Sequence, residues 1–360
     1  MVDSPAPHVL VTGGAGFIGS ALSRLLAERY GRWVAFDSLH PQIHVDQERP
    51  ADLHPAAELV IGDVVVPADW DRLLADFTPD IVIHLAAETG TSQSLNEASR
   101  HTRVNVVGTS EMTDAFVRHG VRPQRVVLAS SRAVYGEGEW VSASGATFSP
   151  GLRSHAQLEA GQWDFAGSTP IVSEAARTAP HPVNVYGATK LAQENLLEAW
   201  CGSHDIPRTV LRLQNVYGPG QSLINSYTGI VSLFSQQAEE GRSIDVYEDG
   251  DIVRDFVFID DVVSAFEAAL LGAASNDAYD VGSGQAIPLM GMAQLVADYH
   301  GAPAPRVTGQ YRDGDVRHAA CSVERTTAEL GWTPQWSVER GVGALQEWIA
   351  SQQLRVRPVS

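Results

Sequence analysis

A chain of 360 residues, 44% apolar and 19% charged, can bury a large core in one or two domains. Its formal charge of −18 argues against a nucleic-acid or membrane-surface partner, and leaves any phosphate-rich ligand to locally placed arginines and backbone amides. The two cysteines, Cys201 and Cys321, form no metal pattern; with no basic leader and no membrane-length apolar run, a soluble cytoplasmic protein is expected.

In chain order, strands are expected at 8–12, 33–37, 58–61, 80–85, 125–130 and 208–214, with helices near 17–29, 68–75, 98–119 and 184–203. That alternation predicts an α/β fold with a Rossmann-type doubly wound parallel sheet. Gly218-Pro219-Gly220 signals a turn. Beyond it, helices near 226–241, 261–271, 289–300, 324–330 and 338–351 mix with short strands near 244–247, 255–258 and 278–281. The expected division is a larger domain over 1–217, with an insert at 137–180 and a returning strand and helix from 255–284. A smaller α/β lobe is expected from 218–254 and 285–352, and the tail 353–360 should fray.

The first strand, His8-Val9-Leu10-Val11, runs into Thr12-Gly13-Gly14-Ala15-Gly16-Phe17-Ile18-Gly19 and then a helix carrying Leu22, Leu25 and Leu26 on one period. Strand, glycine loop and helix in that order are the context of a dinucleotide fingerprint, here spaced G-x-x-G-x-x-G. Gly13 permits the tight turn, Gly16 lets the backbone approach a pyrophosphate, and Gly19 lets the helix pack closely. The phosphates then meet the free N–H groups of a helix N-terminus. The second strand ends at Asp37, 18 residues past Gly19, where a carboxylate accepts from a ribose and repels a 2′-phosphate. NAD is therefore favoured over NADP. Asp63 ends the third strand and is placed towards the adenine. Tyr186 and Lys190 share one helix face at a spacing of four. An ammonium beside the phenol would stabilise its phenolate and make Tyr186 a base near neutral pH.

With TGGAGFIGS (12–20), HLAA (84–87), VNVVGT (104–109), SSRAVYG (130–136), YGATK (186–190), LRLQNVYGPGQ (211–221), RDFVFIDDV (254–262), YDVGSG (279–284) and RDGDVRH (312–318), nearly the whole chain resembles one family. This is the extended short-chain dehydrogenase/reductase family acting on nucleotide sugars, and within it the 4-epimerases of UDP-galactose and deoxysugar type. The resemblance implies NAD as cofactor and a nucleotide-diphosphate sugar as substrate, with Ser131, Tyr186 and Lys190 catalytic. Phe17, Ile18 and Val64 would join the glycines and the two aspartates around the cofactor. Leu85, Ala86 and Ala87 would face its nicotinamide half, supported by Asn105. Glu88, Ser131, Arg132 and Tyr186 would meet the sugar. Asn215, Arg254 and Arg312 would hold the diphosphate, for which a guanidinium fork is suited. Tyr135 either stacks near the substrate or fills the core. The helices near 98–119 and 184–203 carry Val104, Val107, Met112, Leu191, Leu196 and Leu197 on more than one face. The family then implies a homodimer through a four-helix bundle.

Two departures matter. Dehydratases of the family carry an Asp-Glu pair where this chain has Arg132 and Ala133; elimination needs an acid and a base there, so dehydration is disfavoured. Also, 54 residues separate Ser131 from Tyr186, about twice the gap of many relatives. The insert is rich in Gly, Ser and Ala and carries Trp140 and Trp163. A similar insert in some deoxysugar epimerases holds cysteine pairs; this one has none, so no metal role is expected. It either folds over the sugar, with Trp140 or Trp163 nearby, or packs on its own lobe.

Three functions stand. The first is a 4-epimerase, in which C4 is transiently oxidised and the 4-keto sugar turns about its diphosphate tether. The second is a one-way NDP-4-keto-6-deoxyhexose reductase sharing the same Ser, Tyr and Lys; Asp37 leans against an NADPH-using enzyme of that kind. The third is a non-catalytic dinucleotide sensor, against which the presence of both Tyr186 and Lys190 argues.

Overall fold

Continuous apolar runs set the central sheet. In the computed structural model, which describes residues 6–44, 46–222, 229–272 and 276–356, β1 (Val9–Thr12) is buried along its whole length. A strand covered by helices on both faces must be. It feeds α1 (Phe17–Leu26), then β2 (Trp33–Asp37), β3 (Ala57–Ile61), α2 (Pro67–Ala75) and β4 (Ile81–His84). Two short helices, α3 (Thr91–Asn96) and α4 (Ala98–Thr102), lead through a π-helical turn at Arg103–Val107 into α5 (Gly108–His119). The helix expected over 98–119 is thus wound differently at its middle. β5 (Arg125–Ser131) ends in a 3-10 turn at Arg132–Tyr135.

The insert holds β6 (Trp140–Ser142), β7 (Thr147–Phe148), α6 (His155–Glu159) and β8 (Ser168–Pro170), its strands forming an antiparallel sheet in the order β7-β6-β8. Next come α7 (Val185–Ser203), β9 (Arg208–Leu213), β10 (Asn215–Tyr217), α8 (Ile230–Glu239), β11 (Asp245–Val246), β12 (Val253–Arg254), β13 (Phe256–Phe258), α9 (Ile259–Leu271) and β14 (Ala278–Val281). The chain ends with β15 (Ile287–Pro288), α10 (Leu289–His300), β16 (Arg306–Val307), β17 (His318–Ala319), α11 (Glu324–Leu330) and α12 (Val338–Val356). The helix expected to start at 226 begins at Ile230, and positions 226–228 lie outside the described residues. The tail expected to fray from 353 is helical to Val356, and 357–360 lie outside them too.

The seven-stranded sheet runs β14-β9-β5-β4-β1-β2-β3, all parallel. Strand order reverses between β1 and β4, the switch point at which open α/β sheets hold their ligands. Thr12 is level with both Phe36 and His84, so the ends of β1, β2 and β4 form one ledge.

The insert is packed through buried charge. Arg153 is fully buried and pairs with Glu137 at 3.4 Å and Glu248 at 2.9 Å. Arg317 reaches Glu248, Asp249 and Asp164 at 3.1, 2.6 and 2.8 Å. These pairs bind the insert to the segments around 248 and 317. Trp140 is core here: its Nε1 donates to the Glu137 carbonyl at 3.1 Å and its ring stands edge-on to Phe165. Trp163 lies against Tyr311. Neither ring lines the cleft described below; Trp140 packs within the insert and Trp163 against Tyr311.

Replacing Arg153 by Met would leave Glu137 and Glu248 buried beside one fewer cation. Urea unfolding of Arg153→Met should show a loss of about 3–5 kcal/mol; a loss below about 1 kcal/mol would mean the cluster does not hold the insert down.

Candidate active site

A cleft of about 610 Å³ opens over the ledge. At its floor Gly13 has φ +66°, and a Cβ there would lie 2.8 Å from the Ala86 nitrogen, so no larger residue fits between the ends of β1 and β4. Gly16 caps α1 without a side-chain oxygen, which leaves the first-turn amides of Phe17, Ile18 and Gly19 open to the cleft they line. Free amides and the helix dipole there suit a phosphate. Asp37 stands on the wall with its carboxylate fixed from two sides, accepting from Ala15 N–H at 3.0 Å and Leu39 N–H at 2.9 Å. Asp63 and Val64 line the wall beyond it, and Trp70 pins the Val64 carbonyl at 2.8 Å.

From the end of β4, Leu85, Ala86, Ala87 and Glu88 continue the wall. Asn105, in the π-turn, is fully buried and does not line the cleft. Its amide bonds both main-chain groups of Glu88, at 2.7 and 3.0 Å, and Thr189 at 2.9 Å, which ties this strand end to α7. The Glu88 carboxylate pairs with Arg100 at 2.9 Å. A dinucleotide fits these residues: a glycine cradle at a helix N-terminus, an anchored carboxylate on the second strand, and small side chains at the end of the fourth.

The third side of the cleft is built where α7 meets the turn after β5. Asn184 caps α7 by accepting Gly187 N–H at 2.8 Å. A Cβ on Gly187 would lie 2.4 Å from the Ala133 carbonyl, so the first turn of α7 rests directly on the 3-10 turn. Ser131, Arg132, Tyr186 and Lys190 thereby line one wall. Burial pushes the Tyr186 phenol above its ordinary value, and the hydrogen bond from Ser131 and the Arg132 charge pull it back.

Lys190 lies on the same wall of the cleft as Tyr186. Burial brings its own pKa down to about 7, against the pull of Glu194. Its Nζ donates to Gln193 Oε1 at 2.5 Å, and Gln193 Nε2 bonds Thr109 at 2.8 Å and His84 at 3.2 Å. His84, held neutral by burial with a pKa of about 3, meets Thr12 at 2.6 Å. A buried polar row thus leads from Lys190 to Thr12 at the start of the glycine loop. Gln193 is not among the residues the motifs single out; its place three positions after Lys190 on the same helix is the signal that finds it.

The residues expected at a diphosphate are divided. Asn215 lines the cleft and accepts from Arg132 Nε at 2.9 Å. Arg254 is buried off the wall, donating to the Val253 carbonyl and to Asp315, each at 2.7 Å. Arg312 is off the wall as well, with its guanidinium 5.1 Å from the Tyr247 ring centre. Tyr135 belongs to the core, its hydroxyl on Asp280 at 2.8 Å.

Comparison with known proteins agrees with this geometry. Residues 9–282 match the model of the NAD dependent epimerase/dehydratase family. The chain is 58% identical over 347 residues to a dTDP-L-rhamnose 4-epimerase of Burkholderia thailandensis, covering 96% of this chain and 95% of that protein. It is 31% identical over 352 residues to a UDP-glucose 4-epimerase of Mycolicibacterium smegmatis, covering 96% and 99%. The crystal structure of a UDP-glucose 4-epimerase with UDP-glucose from Thermotoga maritima superposes with a TM-score of 0.80 at 26% identity, covering 96% and 99%. That of a Thermus thermophilus UDP-glucose 4-epimerase with NAD gives 0.75 at 26%, covering 95% and 99%.

Two outcomes follow from the site. Asp37→Ala should weaken NAD more than NADP in fluorescence titration, because it removes a ribose acceptor and a phosphate-repelling charge; equal losses would place Asp37 away from the ribose. Lys190→Met removes a buried ammonium. The depressed pKa makes that group destabilising: the cost is full below about 7 and fades as pH rises towards the 10.5 of an exposed lysine. Calorimetry should therefore show the variant gaining more in Tm over the wild type at about pH 6 than at about pH 9.

Proposed function

Because the chain belongs to the NAD-dependent epimerase/dehydratase family, we propose that its substrate is a dTDP-linked 6-deoxyhexose of the L-rhamnose kind, which it interconverts with the C4 epimer. It is an NAD-dependent nucleotide-sugar 4-epimerase. The observation that carries the choice of sugar is 58% identity over nearly the full length of both chains. One cleft running from the glycine cradle past Tyr186 to Asn215 supports it.

In this reading Tyr186 removes the proton of the 4-hydroxyl as C4 becomes a carbonyl, and Ser131 hydrogen-bonds the same oxygen. When bound between the glycine loop and the wall at Leu85, Ala86 and Ala87, NAD would supply the hydride acceptor and donor for C4. Asn215 holds the diphosphate end of the substrate at the wall, with Arg254 and Arg312 as the cations of that end, and Glu88 and Arg132 meet the sugar. A clamped diphosphate and a sugar free to turn are what inversion at C4 requires. Arg132 and Ala133 offer no carboxyl acid or base for elimination, so the keto sugar is reduced again rather than dehydrated. The domain over 1–217 carries the cofactor, and the lobe from 218–254 and 285–352 carries the nucleotide sugar.

A homodimer paired through α5 and α7 is part of the proposal. Leu196 on α7 and Val107 in the π-turn before α5 are exposed, whereas Met112 and Leu197 belong to the protomer's own core. A cytoplasmic setting fits the two free, buried cysteines. Among the described residues no helix is long and apolar enough to cross a membrane.

Purified protein incubated with dTDP-L-rhamnose should give the C4 epimer by proton NMR and should release NAD on denaturation. Tyr186→Phe should retain NAD and lose about 10²–10⁴-fold in turnover. Conversion of UDP-glucose with dTDP-L-rhamnose left untouched would overturn the proposed sugar.

A further inference from the structure

Two buried side chains of the insert grip the main chain of 315–317. Arg153 donates from Nη2 to the Asp315 carbonyl at 2.9 Å, while its Nη1 serves Glu248 at 2.9 Å and the Trp163 carbonyl at 3.1 Å. Glu137 accepts the Arg317 N–H on both oxygens, at 3.1 and 2.9 Å. The segment is therefore pinned at both ends. Between these points the Asp315 carboxylate accepts Val316 N–H at 2.9 Å and holds Nη2 of Arg254 at 2.7 Å. The next residue, Asp255, gives its carbonyl to the N–H of Asn215 at 3.0 Å, and Asn215 lines the cleft. A continuous set of bonds thus runs from Arg153 through Asp315 and Arg254 to the cleft wall.

We propose that Arg153 is a positioning residue for the nucleotide end of the substrate: by holding Asp315 it fixes the guanidinium of Arg254 for a diphosphate. This rests on the reading of Arg254 as a cation of that end. The bonds of Arg254 to Asp315 and to the Val253 carbonyl set the plane of its fork and use only part of it. The remaining N–H groups suit a phosphate, which such a fork binds through paired bonds. Asp315 cannot turn without breaking the Arg153 bond, so Arg254 keeps one orientation before the ligand arrives. A donor ordered in advance binds more tightly, because association does not have to order it. Tyr186 is not on this path, so Arg153 governs how firmly the nucleotide is held and not the rate of the chemistry. The insert has a separate anchor as well: Ser173 exchanges main-chain bonds with Ala320 and Ser322 at 3.0 and 2.9 Å. Its docking therefore does not depend on the Arg153 fork alone.

The test is Arg153→Lys in the NAD-loaded enzyme. A lysine keeps the charge beside Glu137 and Glu248 but is a point donor, which cannot reproduce the fork to Glu248 and the Asp315 carbonyl. Calorimetry should show dTDP bound about tenfold more weakly, the effect of losing one charge-assisted bond. KM for dTDP-L-rhamnose should rise in step, with kcat and retained NAD unchanged. In an Arg254→Met background the same substitution should cause no further loss, because its target is gone; Arg254→Gln serves if that variant does not fold. Leu158→Ala, which opens the buried core of the insert away from Asp315, should leave dTDP affinity as it was. If Arg153→Lys does not fold, Glu137→Gln, which weakens the hold on Arg317 N–H, makes the same comparison. Full dTDP affinity in the folded Arg153 variant overturns the proposal. So does a loss that persists without Arg254, or one that Leu158→Ala reproduces. If Arg254→Met alone binds dTDP as the wild type does, the reading of Arg254 fails and the proposal falls with it. The expected losses in a protein that leaves dTDP-L-rhamnose unchanged uphold the positioning role while the proposed sugar fails.

Discussion

The cleft depends on one close approach, that of the first turn of α7 to the carbonyl of Ala133. A glycine at 187 is the only residue that allows it, since any Cβ would lie 2.4 Å from that oxygen. The approach sets how far Tyr186 stands from Ser131 and Arg132, three side chains that arrive from different elements. Asn184 and Asn105 hold it from either side, one by capping the helix and the other by binding Thr189 to the end of β4. Side chains held this way meet a reacting atom without reorganising, which is where much of an enzyme's rate advantage arises.

A second theme is buried charge. Lys190, Glu137 and Asp280 are all pushed to about 7, the basic group downwards and the acids upwards, each chiefly by desolvation. Such perturbation concentrates at functional sites, but it also attends structural ion clusters. The chain shows both. Lys190 and Arg132 stand at the cleft, whereas Glu137 belongs to the Arg153–Glu248–Arg317 group beneath the insert. Exposure to the cleft separates the two cases, and the pKa direction does not.

Much of this was legible in the sequence. Strands buried on both faces are unbroken apolar runs, so β1, β2, β5 and β9 are found nearly to the residue. The glycine loop, Asp37, Ser131 and Tyr186 are legible because each occupies a fixed position relative to a strand end. What stays hidden has physical reasons. A two-residue strand such as β12 has no period to detect. The π-turn at 103–107 packs against α7, where Asn105 bonds Thr189, and no sequence period marks it. The engagement of Arg254 with Asp315 links positions 61 apart, and no spacing rule predicts which partner a buried guanidinium takes. The bond from Lys190 to the buried amide of Gln193 is hidden in the same way, since a shared helix face does not tell which partner an ammonium takes.

The 54 residues between Ser131 and Tyr186 seem to tether two residues of one site by a loose cord. Loop-closure entropy says otherwise. Doubling the length of a loop adds only about 0.6 kcal/mol to the work of bringing its ends together. A single intramolecular hydrogen bond contributes a net ~1 kcal/mol, which is enough to offset it. The insert also folds its own span into a small sheet, with β6 and β8 side by side, which draws its two ends together. Spacing along the chain is therefore nearly free to drift at this point, and the site's geometry is indifferent to it. Lineages of this fold can lengthen, shorten or replace the segment while the chemistry at Tyr186 stays in register.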